Sequence, residues 1–181
     1  MPAEVAFINK RAFTLIELLV TVTIMMILSS IAIPSFISFQ KNQTLLQETS
    51  KVKGDLRLAQ SRAISSVVSA VGGTPKAWGI NFTNNGTTYQ PFYCNPDKTK
   101  YSEYVLSNPT RCTAFGSPLQ LLGGTKIGVA SDPTNIVFDL ISGTLVVNGS
   151  LMSGNATISV QTSDGLQSKT ITVGAGGFIS D

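Results

Sequence analysis

Few residues in this chain are equipped for chemistry. It contains no histidine and two cysteines, Cys94 and Cys112. Without histidine, the commonest general base and metal ligand near neutral pH is missing. Cys/His zinc sites and Ser-His-Asp or Cys-His triads are excluded with it. Lysine- or carboxylate-based catalysis survives, but no nucleophile is set beside a base, so neither an enzyme nor a cofactor is expected. The acid that asks for an explanation is Glu17. It lies just past the basic pair Lys10 and Arg11, at the front edge of a run, residues 18–40, without a single charge.

That run is about 23 residues long, enough to cross roughly 30 Å of hydrocarbon as a helix. The short basic end before it is expected in the cytoplasm and the remainder outside. No small-x-small cleavage site followed by a polar break comes after the apolar core, so an uncleaved anchor is expected there. An ionised acid costs about 2.5–3.5 kcal/mol at the centre of a membrane helix and less near its edge. The run supplies no cation to offset this. A cut between Ala12 and Phe13 would create an α-amino group four residues before Glu17, on the same helix face. The same amine could reach Glu17 of a neighbouring copy.

"RAFTLIELLV" resembles the class III signal of type IV pilins and type II secretion pseudopilins. In that family a short basic leader is removed by a membrane aspartic prepilin peptidase, which then methylates the new N-terminal Phe. The resemblance implies cleavage between Ala12 and Phe13 and methylation of Phe13. It also implies a role for Glu17 in pairing with a neighbour's terminal amine during filament assembly, and a helix kink at Pro34. The family usually has Gly before the cut; this chain has Ala12. The implied partners are other pilin or pseudopilin subunits, the prepilin peptidase, the inner-membrane assembly platform and the inner membrane itself. The implied location is the bacterial inner membrane, single-pass with a periplasmic C-terminal domain, and then a pilus or pseudopilus.

Beyond the apolar run, Leu45, Thr49, Val52, Leu56, Ala59, Ala63 and Val67 recur at spacings of three and four. Leu46, Gln60, Ile64 and Val68 widen the stripe. The spacing predicts an amphipathic helix with one face to bury. Lys51, Lys53, Asp55, Arg57 and Arg62 fall mostly off that face, and Gly54 marks a soft point. Gly72 and Gly73 are expected to cap the helix, and Pro75 to block its resumption.

From Ala77 the period changes to two. "AWGINFT" and "TTYQPFYC" flank "NNG", a hairpin signal, and "SDGLQ" marks a second tight turn between "NATISVQT" and "SKTITV". "SEYVLS", "LQLL", "TKIGVA", "NIVFDL" and "TLVVNG" read as further short strands. Pro91 places its part of a strand at an edge or bulge. The fold class expected is α+β: a long N-terminal helix packed on one face of a C-terminal antiparallel sheet domain. The divisions are a leader at 1–12, a membrane or filament-core helix at 13–40, an amphipathic helix at 41–72 and a β-rich domain at 73–181. "DLRLAQSRAIS", "IVFDLISGTL" and "KTITVGAGGFIS" are similar to landmarks of the H-type minor pseudopilins and FimT-like pilins.

Cys94 and Cys112 are expected to form a disulfide outside the inner membrane, with two buried thiols as the alternative. Sequons at Asn81, Asn85, Asn148 and Asn155 fit an exposed polar surface better than glycosylation. Asp97, Asp132, Asp139 and Asp164 are too scattered for a dense calcium loop. Trp78, Tyr89, Phe92, Tyr93, Tyr101 and Tyr104 divide between core packing and a partner surface. Some FimT-like proteins take up DNA through a C-terminal Arg-rich run. The matching "GAGGFISD" has no arginine, leaving Lys98, Lys100 and Arg111 as the basic candidates for DNA. The function expected is a minor pilin or pseudopilin. A DNA-uptake minor pilin and an adhesive tip subunit using the disulfide loop are the alternatives.

Overall fold

The structure is a computed structural model that describes residues 13–65, 76–95, 100–132, 134–139 and 144–180. A single helix, α1 (Leu15–Ile64), runs through two compact units that divide between Gln40 and Lys41. The expected cap at Gly72 and Gly73, and the stripe positions Val67 and Val68, lie outside the described residues.

In the first unit the helix starts at a cap. The Glu17 N–H donates to Thr14 Oγ1 at 3.3 Å and to the Thr14 carbonyl at 3.1 Å. Several hydroxyls of this apolar stretch turn back on their own backbone. Thr21 donates to the Leu18 carbonyl, Thr23 to Val20 and Ser30 to Ile27. Pro34 lies inside the helix and has no N–H for the carbonyl four residues back. Ser38 Oγ donates to the Pro34 carbonyl at 3.1 Å.

In the second unit the predicted stripe is the buried face. Leu45, Thr49, Val52, Leu56, Ala59 and Ala63 are all buried. Leu46 and Ile64, expected to widen it, are exposed. Two antiparallel sheets share this core rather than one. The first contains β1 (Ala77–Phe82), β2 (Thr88–Cys94), β3 (Cys112–Ala114), β4 (Leu119–Gln120), β6 (Thr134–Asp139), β7 (Leu145–Val147) and β8 (Ser150–Leu151). Its order is β3-β2-β1-β6-β7-β8, with β4 also on β2. The second contains β5 (Lys126–Val129), β9 (Ala156–Gln161), β10 (Ser168–Val173) and β11 (Ile179–Ser180), in the order β11-β10-β9-β5. The helix stripe meets Trp78, Ile80 and Phe82 of the first sheet and Ile127, Ile158, Val160 and Ile171 of the second in one cluster.

The predicted turns are present. Gly86 N–H donates to the Thr83 carbonyl, with Asn85 in the left-handed region at φ 57, and Gly165 N–H donates to Thr162. The first turn also bridges the sheets, since Asn85 and Gly86 exchange backbone bonds with Ile127. Pro91 is not on an edge strand: it pairs with Ile80 on one side. On its other side it falls in the gap between β3 and β4, where no ladder donor is required. The Pro91 carbonyl there accepts from Phe115 N–H and from Gln90 Nε2.

"SEYVLS" is not a strand. It forms a 3₁₀ turn, Tyr101–Glu103, closed by Tyr104 N–H on the Tyr101 carbonyl, and then a further turn closed by Asn108 N–H on Val105. A strand needs a ladder partner, and β3 already takes the position beside β2. The segment instead covers the far face of the first sheet. There Tyr104 and Cys112 bury Ala77, Phe92, Val137 and Val146 in a second, smaller cluster. For this reason every residue of β6 is buried, where alternation would leave half exposed.

Candidate functional site

The expected cut site lies at the edge of the described residues. Ala12 is outside them; Phe13 is described and exposed. Glu17 sits in the first helical turn, three residues after its cap Thr14. Thr14-Leu15-Ile16-Glu17 is the S/T-x-x-E spacing of a capping box, a signal that the sequence carries and that reading Glu17 only as a charge passes over. The helix N-terminus carries partial positive charge and favours an acid there. No lysine or arginine lies between Phe13 and Gln40, so a full counter-charge must come from elsewhere. The stretch opens a helix that is long and apolar enough to cross a membrane, by length and composition. Its large apolar side chains, from Phe13 to Phe39, are exposed in the isolated chain. The arrangement therefore offers an apolar surface in need of cover and one acid in need of a cation.

The second unit holds a cleft of about 370 Å³ between the helix and the first sheet. Leu58, Pro91, Phe115, Pro118 and Leu119 give it an apolar lining, with Asp55 and Arg62 from the helix. The Arg62 guanidinium lies 5.2 Å from the Trp78 ring centre and 4.7 Å from that of Phe115. Asp55 accepts from the Tyr89 hydroxyl. The cleft offers apolar contact and one stacked cation, with no nucleophile beside a base.

A buried acid escaped the sequence reading. Glu48 is buried on the helix face between Leu45 and Val52, and its Oε2 has no hydrogen-bond partner. Lys51 Nζ lies 3.8 Å from it and donates to the Gln120 carbonyl. The spacing of three from Leu45 and four to Val52 was the available signal.

Most of the scattered candidates prove to hold the fold together. Asp132 accepts from Asn84 N–H, and Asp139 from the Tyr104 hydroxyl at 3.0 Å. Asp164 accepts from Lys41 Nζ at 2.7 Å, from Thr162 and from Leu166 N–H. The Lys41 bond first, then those from Thr162 and Leu166, hold its carboxyl well below the usual range. Asp97 and Lys98 lie outside the described residues. No group of three or more acids or thiols able to hold a metal lies among the described residues. Asn81, Asn135 and Asn148 bond to one another through their side chains. Trp78, Tyr89, Phe92 and Tyr104 are buried, which leaves Tyr93 and Tyr101 half-buried. Of the basic candidates, Arg111 pairs with Glu103 at 3.4 Å. Cys94 and Cys112 are joined in a disulfide across directly paired positions of β2 and β3.

Burial, then the Asp55 bond, pushes the Tyr89 phenol far above its ordinary value of 10.0. Burial, then the Asp139 charge, does the same to Tyr104. A raised phenol pKa stabilises the fold fully below pH 10, and that contribution fades as the unfolded phenol ionises above it. The unfolding free energy is expected to fall above pH 10 by about 1.4 kcal/mol per pH unit for each tyrosine. Urea titrations of a fragment starting at Lys41, with and without Tyr89→Phe, check this. The variant should lose about half of the alkaline slope, and an unchanged slope would exclude Tyr89 as a source.

Residues 8–33 match the prokaryotic N-terminal methylation motif. No curated protein and no solved structure matches the chain. The motif match supports a chain of the pilin or pseudopilin kind, processed by a prepilin peptidase, and the apolar helix fits anchoring in the inner membrane.

Proposed function

We propose that this chain is a minor pilin or pseudopilin. Prepilin peptidase removes residues 1–12, and Phe13 becomes the methylated N-terminus. The helix holds the subunit in the inner membrane, with the β-rich unit in the periplasm. The assembly platform then passes it into a filament of pilus or type II secretion pseudopilus type. There the apolar stretch packs against other subunits and Glu17 meets a neighbour's terminal amine. The single observation that carries this reading is the methylation motif at residues 8–33 opening a helix whose one charge before Lys41 is Glu17. A buried ion pair contributes less to adhesion than to penalising wrong alignments, so Glu17 sets register. Two antiparallel pairs, β6 with β7 and β10 with β11, support placement among the H-type, FimT-like subunits.

The reading is tested by expressing the chain with and without a prepilin peptidase and sequencing the N-terminus of the product. The expected product begins at Phe13 and carries one added methyl group. A different first residue rules out the Ala12–Phe13 cut.

A further inference from the structure

We infer that the Lys41 end of the second unit is a membrane-docking surface. Leu122 and Leu166, at two adjoining turns, would seat in the headgroup–acyl boundary of a phospholipid bilayer. The inference rests on the proposal that the stretch ending at Gln40 lies in a bilayer.

The two side chains are unusually bare: Leu166 is 84% exposed and Leu122 is 63% exposed. Single exposed leucines are ordinary. These two belong to turns fixed to the same short piece of helix. The first turn, closed by Thr125 N–H on the Leu122 carbonyl, passes so close to Thr44 that a Cβ on Gly123 would lie 2.4 Å from its Cγ2. The second is tied to the helix by Lys41 Nζ on Asp164 at 2.7 Å, and Leu166 N–H donates to that same carboxylate. The turns also meet each other, since a Cβ on Gly124 would lie 3.5 Å from Ser163 Cβ. Both leucines are thus presented on held backbone beside Lys41.

Chain connectivity identifies the partner. Lys41 follows Gln40 directly, about 3.8 Å away along the backbone, so this end stays where the apolar stretch leaves the bilayer. The residues of both turns are uncharged except Asp164, whose charge is matched by Lys41. Apolar side chains on a neutral, polar backbone suit the interfacial layer, where apolar groups of surface-bound segments reach about 5–10 Å deep. The paired charge makes the contact apolar, so it should not depend on salt.

Tryptophan fluorescence in the full chain tests this, because the single native tryptophan, Trp78, is buried and gives a constant background. The chain is reconstituted in phosphatidylethanolamine–phosphatidylglycerol vesicles with brominated acyl chains. Leu122→Trp, Leu166→Trp, Leu151→Trp and Ile27→Trp are compared. The added emission of Leu122→Trp and Leu166→Trp should drop at least about twofold at low and high salt, that of Leu151→Trp should not, and Ile27→Trp should be quenched most. If Ile27→Trp is quenched and the two turn positions are not, docking is overturned while the bilayer reading stands. If Ile27→Trp is not quenched, both fail. Quenching of Leu151→Trp to the same degree would mean a non-specific surface and overturn the assignment. Loss of the effect at high salt would overturn its apolar basis. A blue shift at the turns that grows with protein concentration, without quenching, would give the surface to a second copy instead.

Discussion

Glu17→Ala is expected to leave the amount of cleaved protein in the membrane unchanged and to cut its incorporation into filaments at least about tenfold, a loss of about 1.4 kcal/mol or more. The two halves of this expectation have separate causes. On the proposed reading the isolated subunit offers the acid no cation but its own terminal amine at the membrane edge, so removing the acid should not destabilise the inserted form. In the filament its loss leaves a neighbour's terminal amine buried without a partner, a change that costs about 3–5 kcal/mol when the pair is well buried. Glu17→Gln separates charge from capping, because glutamine also suits the third position of a capping box. If register depends on charge, Glu17→Gln fails as Glu17→Ala does. Sheared-filament preparations and membrane fractions, blotted side by side, give both quantities. Normal incorporation at normal protein levels would end the assembly role of Glu17.

Removing the disulfide should have the largest effect on the folded unit. Cys94 and Cys112 are 18 residues apart in sequence. A cross-link closing a loop of this size stabilises by roughly 3 kcal/mol in the chain-entropy treatment. Both sulfurs are buried beside Phe92, Tyr104 and Val137, so alanine replaces them without stranding a polar group. Cys94→Ala/Cys112→Ala is expected to lose about 3 kcal/mol and to melt on the order of 10 °C lower. Reductant should bring the unmodified protein to the same midpoint and leave the double variant unmoved. A midpoint insensitive to reductant would show that the bond carries none of this. The loss reaches beyond the loop. The segment that the bond fastens also carries Tyr104 to Asp139, and so closes the outer face of β6.

What the sequence made legible was local. The apolar run, Glu17 and the small residue before Phe13 are one-dimensional signals; Ala12 and Glu17 lie within the stretch that the methylation motif matches, and the run begins there. The Asn85 and Asp164-Gly165 turns were readable because turn chemistry is set by two or three adjacent residues. The helix stripe from Leu45 to Ala63 was readable from its period. The division of the strands into two sheets was not, since β5 finds β9 across some thirty intervening residues and nothing near Lys126 announces it. Nor was the fate of "SEYVLS", whose strand-like composition is overruled by a disulfide and an occupied sheet edge. Glu48 could have been placed by its spacing, yet a charged residue on an apolar face reads as a break in the pattern and not as part of it.

The hydroxyls of Thr21, Thr23, Ser30 and Ser38 have a consequence for the journey proposed for this helix. Each already donates to a carbonyl of its own helix, so none is owed a bond by its surroundings. On the proposed route the segment exchanges lipid for protein neighbours when it leaves the bilayer. These four hydroxyls make that change of solvent with no hydrogen bond to break on departure or to find on arrival. Glu17 is the one charged side chain on the stretch, and for it the two environments differ in kind. On that route the charge of Glu17, and not these hydroxyls, carries the difference between the two media.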